Sequence, residues 1–197
     1  MPMSIQPIVL VGGQSQRFGR DKLREPVGRA GAEWLVDRPI AALRALFGPC
    51  VALVGACDPD IAARADLMFE DHYPGCGPAG GILSALEQCA GDVFVLAGDL
   101  PHISAAVVKH LLDEAHLQPP SSVWAVLADA DGLQPCIGLY RQMLRRRLAE
   151  RVEAGLASLH DLTPTERLLR VVIDRRAAAN VNTLDDWRAA DLPLAAE

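Results

Sequence analysis

Short, continuous apolar runs alternate along this chain with longer stretches in which apolar residues recur every three or four positions. The runs Pro7–Val11, Cys50–Val54, Val93–Ala97, Val123–Leu127, Ile137–Tyr140 and Arg170–Ile173 predict strands buried on both faces. The stretches Glu33–Phe47, Ala79–Cys89, Ala105–His116, Arg141–Glu153 and Leu184–Ala190 predict helices. In the second of these, Ile82, Leu83, Leu86 and Cys89 fall on one side, as in a helix that crosses over a sheet. Strands alternating with helices of this length predict an α/β fold built of βαβ units around a mostly parallel sheet. Pro119-Pro120-Ser121-Ser122 reads as a surface connection within it, so residues 1–197 are expected to form a single domain.

Composition narrows the function. Half of the 197 residues are hydrophobic and 22% are charged, enough for a sizeable core and too apolar for intrinsic disorder. Only 5% are aromatic, so that core is aliphatic. Nineteen Lys and Arg stand against 25 Asp and Glu, a net charge of −6 that excludes a general nucleic-acid or anionic-membrane binder. No apolar run reaches about 18 residues, and Met1–Gln6 lacks the basic and apolar regions of a signal peptide. The five cysteines include no Cys-x-x-Cys pair, which predicts reduced thiols and a cytoplasmic protein.

In an open α/β sheet, ligands bind outside the carboxyl ends of the strands. Three such ends carry unusual residues. The first strand runs into Gly12-Gly13, then Gln14-Ser15-Gln16-Arg17-Phe18-Gly19-Arg20-Asp21-Lys22. Adjacent glycines let backbone N–H groups converge on an anion. Arg17, Arg20, Lys22 and Arg24 against Asp21 give a local charge of +3, which suits a triphosphate. The loop is neither a Walker A nor a G-x-G-x-x-G motif, and an exposed turn with solvated charges is the competing reading. The strand Val93–Ala97 ends in Gly98-Asp99-Leu100-Pro101, placing a carboxylate where a divalent cation could be held against phosphate oxygens. Asp99 could instead cap the next helix, but Ser104 is better placed for that. The lone His102 is expected to be structural.

The third end is Asp71-His72-Tyr73-Pro74-Gly75-Cys76-Gly77-Pro78-Ala79-Gly80-Gly81. It leads into a helix whose free N–H groups favour an anion or the polar edge of a base. Gly80 and Gly81 each cost about 1 kcal/mol in a first helical turn relative to Ala, which favours a ligand role over a plain turn. Later, Thr183 with Asp186 forms a capping box, which leaves Asn180 and Asn182 unexplained. Arg141, Arg145, Arg146, Arg147 and Arg151 read mostly as a solvated face above a stripe of Leu144, Leu148 and Val152. Arg141 alone is a candidate for a phosphate-bearing acceptor.

These pieces resemble, in order, the motifs of the molybdenum cofactor guanylyltransferases, the MobA-like branch of the nucleotidyltransferases. Val11 through Lys22 is similar to the family's L-A-G-G-x-S-x-R-M-G-x-D-K, and Asp71 through Gly81 to its D-x-x-x-G-x-G-P-x-x-G. Asp99-Leu100-Pro101 resembles its D-x-P, Gly132 through Tyr140 its G-x-x-Q-P-L-x-x-L-Y, and Asn180–Thr183 its N-x-N-T. Two places depart from the pattern. Gly31-Ala32-Glu33-Trp34-Leu35 stands where a G-K-P-L-like segment is usual, and the second strand ends Val54-Gly55-Ala56 where an Asn is frequent.

The resemblance implies a Rossmann-like nucleotidyltransferase fold and transfer of GMP from GTP to molybdenum-bound molybdopterin, with Mg²⁺ as cofactor. It implies triphosphate contacts from Val11, Gly12, Gly13, Ser15, Arg17, Gly19 and Lys22, with Arg17, Lys22 and Asp99 as catalytic groups. It implies Mg²⁺ at Asp99, guanosine at Asp71 and the Gly77–Gly80 loop, and the acceptor at Gln134 and Asn182, with Asn180 and Asn182 at the metal-facing edge. Its implied partners are small molecules and, transiently, molybdoenzymes or molybdopterin-loading proteins, in a monomer or weak oligomer. Rival readings are a cytidylyltransferase of the same pathway, an enzyme activating a sugar or alcohol phosphate, and a non-catalytic relative that binds nucleotide or cofactor.

Overall fold

The structure is a computed structural model that describes residues 4–12, 21–27, 33–159 and 167–190. Gly13, Ser15, Arg17 and Gly19 lie outside the described residues. The elements are β1 (Ile5–Leu10), α1 (Asp37–Phe47), β2 (Ala52–Val54), α2 (Pro59–Ala62), β3 (Leu67–Phe69), α3 (Gly77–Gln88) and β4 (Asp92–Ala97). They continue as α4 (Ala105–His116), β5 (Ala125–Asp129), β6 (Leu133–Tyr140), α5 (Arg145–Glu153), β7 (Leu168–Val172), α6 (Arg175–Ala178) and α7 (Leu184–Ala189). The strands form one seven-stranded sheet in the order β3-β2-β1-β4-β6-β5-β7. All pairings are parallel except those of β6, which runs antiparallel to β4 and β5.

Burial on both faces follows from the two-residue period of a strand. Val9, Leu53, Phe94 and Leu96 pack in one core with Ile40 and Leu43 of α1 and Val108 and Leu111 of α4. Ile8, Val54, Val93 and Val95 pack in the other with Ile82, Leu83 and Leu86 of α3 and Leu148 and Val152 of α5. The stripe predicted for α3 is wider than expected, with every residue from Ala79 to Leu86 buried.

Several boundaries shift for physical reasons. The helix expected from Glu33 starts at Asp37, because Trp34 forms an isolated bridge to Pro26 and its N–H bonds the Asp37 carboxylate at 2.7 Å. The helix expected from Arg141 opens with a 3-10 turn, Gln142–Leu144, before α5. Strand β6 reaches back to Leu133 through Pro135, and its register against β5 shifts between Leu127 and Ala128. Strand β3 has no counterpart among the expected strands; it is short, at the sheet edge, with Leu67 and Met68 about half exposed. No helix among the described residues is long and apolar enough to cross a membrane.

Candidate active site

At the carboxyl edge of the sheet, β1 ends against its neighbours. Val11 N–H donates to the Val54 carbonyl at 2.9 Å, and Gly98 N–H to the Leu10 carbonyl at 3.0 Å. Gly12 then turns with φ +99°, and a Cβ there would lie 3.0 Å from the backbone of Ala56. Gly55, at the departure noted in the second strand, has φ +115°, and a Cβ on it would sit 1.9 Å from the Val11 carbonyl oxygen. No side chain fits there while the glycine turn keeps its place.

Asp21 caps the 3-10 turn Lys22–Arg24 by accepting from Leu23 N–H at 3.1 Å, and buried Leu23 anchors the turn. Lys22 therefore points back across the edge of β4. Its Nζ lies 2.6 Å from Asp99 Oδ2, 2.8 Å from the Val181 carbonyl and 2.8 Å from Asn182 Oδ1. The side chains of Lys22 and Asp99 are only 13% and 16% exposed, so this pair is better shielded from solvent than an ordinary surface ion pair. The segment after α6 is pinned separately. Val181 N–H donates to the Asp99 carbonyl at 3.0 Å, and its side chain is buried. Asp186 accepts from the N–H groups of Asn182 and Thr183 at 2.9 and 2.8 Å, completing the predicted capping box of α7. The Asn182 N–H bond, first among several, holds the Asp186 carboxyl below its ordinary pKa.

Asp71 follows β3, so the unpredicted edge strand is what brings it to the same rim. Its Oδ1 accepts from Tyr73 N–H at 3.0 Å and lies 3.3 Å from the Ser84 hydroxyl, while Oδ2 has no bond among the described residues. Helix α3 begins at Gly77 with no side chain capping it, which leaves N–H groups free at its start.

These elements enclose a cavity of about 590 Å³ whose lining includes Val11, Gly12, Lys22, Asp71, Gly77 and Asp99. Asn180 lines it as well, and Asn182 reaches its rim through Lys22. Gln134 stands at the same sheet edge, its amide 3.2 Å from the Gly132 carbonyl. Gly80 is placed differently from expectation. It is buried, outside the cavity lining, and a Cβ there would lie 2.7 Å from the Tyr73 carbonyl; its lack of a side chain serves helix–loop packing. Gly81 does line the cavity, and its Cβ would press on Leu10. Arg141 is also corrected as an acceptor candidate. Its guanidinium is buried 3.1 Å from Asp92 at the opposite, amino end of β4.

Cys136 is a lining residue that sequence reasoning missed. The shift in the β5–β6 register leaves Pro135, Cys136 and Ile137 outside that ladder, which an alternation pattern could not reveal. Burial, with Asp99 nearby, pushes its thiol up to about 12, so it meets the cavity as a neutral group. His102 bonds the Ala190 carbonyl at 2.9 Å, in keeping with a structural role. Trp34, in the other departure, stacks under the guanidinium groups of Arg64 and Arg24 at 4.0 and 5.2 Å.

A mostly parallel sheet carrying a glycine turn, a lysine–carboxylate pair and an open helix start on one carboxyl edge is the arrangement of a nucleotide-handling α/β enzyme. Residues 7–176 match the family described as the MobA-like NTP transferase domain, and the chain belongs to that family of nucleotidyltransferases. It is 32% identical over 194 residues to a Mycobacterium avium (strain 104) protein named "Probable molybdenum cofactor guanylyltransferase", covering 95% of each chain. Among solved structures it is similar to molybdopterin-guanine dinucleotide biosynthesis protein A from Archaeoglobus fulgidus, with TM-score 0.70 and 24% identity over 93% of this chain and 95% of that one. It also resembles a Mycobacterium tuberculosis H37Rv protein solved in complex with manganese, with TM-score 0.68 and 17% identity over 96% and 98% of the two chains.

Proposed function

We propose that the protein transfers GMP from GTP to the phosphate of molybdenum-bound molybdopterin, giving the guanine dinucleotide form of the cofactor and pyrophosphate. The observation that carries this reading is the convergence of Gly12, Lys22, Asp71 and Asp99, each from a different turn of the sheet edge, on one cavity. The names of the relatives direct the choice of both acceptor and base.

Backbone and side-chain groups divide the roles. The Gly12 turn and the open start of α3 offer backbone N–H groups to the triphosphate. Lys22 and Arg17 neutralise its charge. Asp99, the Val181 carbonyl and Asn182 already surround one cation, the Lys22 ammonium, with oxygen alone. That donor set fits Mg²⁺, which takes one or two carboxylates and hard oxygen ligands. Bound there, a divalent cation would supply neutralisation of the phosphate charge. Asp71 Oδ2 is an open acceptor for a donor on the base edge, such as the ring N–H or exocyclic amino group of guanine. Gln134 lies on the acceptor side. An acceptor phosphate oxygen attacks the α-phosphorus, the bond to the bridging oxygen of pyrophosphate breaks, and the attacking group is already ionised at neutral pH. Positioning and charge neutralisation then suffice without a general base.

The test is thermal melting with GTP, CTP, ATP and UTP, each with and without Mg²⁺. A nucleotide at 100 times its Kd adds about 2.7 kcal/mol, a rise of about 5–10 °C in a domain of this size. GTP alone is expected to give that rise, larger with Mg²⁺, and to turn over with molybdopterin. Selectivity for CTP would replace the guanylyltransferase with a cytidylyltransferase, and no shift with any nucleotide would sink the enzyme reading.

A further inference from the structure

Lys22 is assigned above to the triphosphate, yet its ammonium has three N–H donors and all three are engaged by Asp99, Val181 and Asn182. No donor is left for a phosphate in this arrangement. The point where Nζ sits is also the focus of the oxygen set that fits a divalent cation, and two cations cannot share it. The backbone that carries the acceptors is anchored without Lys22: the Val181 N–H is tied to the Asp99 carbonyl, and the Asn182 N–H to the Asp186 carboxylate. The residue type points the same way. Of 19 basic residues only Lys22 and Lys109 are lysines, so a chain that otherwise uses arginine places a compact point charge here, in place of a planar guanidinium.

We propose that Lys22 is the resident counter-ion of the metal site: its ammonium fills the oxygen cage of Asp99, Val181 and Asn182 in the free enzyme and is released to the phosphates when the divalent cation enters. The inference rests on the reading of Asp99 as metal ligand. Metal entry and delivery of a positive charge to the triphosphate are then one exchange. Without nucleotide the cage binds metal weakly, because the competing ammonium is part of the same chain. With nucleotide, the phosphates accept the displaced lysine and the two ligands favour each other's binding.

Two measurements test this. The first is calorimetric Mn²⁺ binding to the nucleotide-free protein and its variants. Lys22→Met keeps the three oxygens and removes the competitor, so its affinity for Mn²⁺ should rise about ten-fold or more over wild type. Equal or weaker binding in a folded Lys22→Met protein overturns the proposal. Asp99→Asn should lose Mn²⁺ binding; if it binds as wild type does, the assignment of Asp99 is what fails. The second needs no variant. With only two lysines, ¹⁵N-lysine labelling gives two ammonium signals, and Lys109, exposed and paired with Asp113, is an internal control. Mg²⁺ with GTP should move the Lys22 signal and leave Lys109 in place. A Lys22 signal that stays put while the protein binds GTP and Mg²⁺ would overturn the exchange.

Discussion

Gly55 and Gly75 both have positive φ, yet they answer to different constraints. A Cβ at Gly75 meets nothing within 4 Å, whereas one at Gly55 would lie 1.9 Å from the Val11 carbonyl oxygen. Gly75→Ala should cost about 1–2 kcal/mol, the strain of a left-handed backbone alone. Gly55→Ala must also push the end of β1 away, so we expect a loss above about 2 kcal/mol in urea unfolding and weakened GTP binding in the folded fraction. Equal losses for the two variants would contradict this packing. Asp99→Asn is nearly isosteric and keeps an oxygen for Lys22, so turnover should vanish while the melting point stays close to wild type; turnover near wild type would refute the metal role. At this scale, residues whose chemistry is unusual for their place were readable in advance, such as Lys22 beside the glycine turn and Asp99 at the end of an apolar strand. Gly80 and Cys136 were not, because a packing glycine and a ligand-cradling glycine look alike in sequence, and a register shift leaves no local mark.

Helix α7 shows how a short element can serve the site. It has six residues and its cap is its main local support. The Asp186 carboxylate accepts from Asn182 and Thr183, the segment that presents oxygen atoms to Lys22. Asp186→Ala should cost about 1 kcal/mol of stability and also lower GTP affinity, because Asn182 loses its anchor. Since the folded pKa of Asp186 is lowered, its stabilisation is complete above the usual carboxylate range and fades as pH falls below it. The difference in stability between wild type and Asp186→Asn should therefore be constant from about pH 7 to 5 and shrink toward pH 3. A gap that widened on acidification would reverse the sign and reject the pairing. The cap was visible in sequence because Thr183 and Asp186 have fixed spacing, whereas β3 was not, because three half-exposed residues at an edge carry too little apolar signal. Its omission mattered, as β3 is what delivers Asp71.

Across the whole molecule, the two ends of the sheet divide stability from chemistry. The carboxyl edge holds partly exposed polar groups around a cavity, and the amino end of β4 holds Asp92 in a buried network. Arg141 reaches Asp92 Oδ2 at 3.1 Å and the Ala115 carbonyl at 3.3 Å, Gln142 N–H donates to Asp92 Oδ1 at 2.8 Å, and both charged side chains are under 10% exposed. Removing one partner strands the other charge where water cannot reach it, so Arg141→Met should cost about 3–5 kcal/mol. Strand β4 has six residues, so this pair lies about 20 Å along the sheet from Asp99. GTP affinity of the folded Arg141→Met protein, measured by calorimetry well below its melting point, should equal that of wild type. A large loss of affinity at full folding would return Arg141 to the ligand site, against the geometry. An unchanged melting point would mean that the buried pair contributes no more than a hydrophobic contact of the same shape. The contrast with Asp99→Asn is the decisive one: the carboxylate just beyond the end of β4 should be needed for the reaction and nearly dispensable for the fold, and the one at its start the reverse.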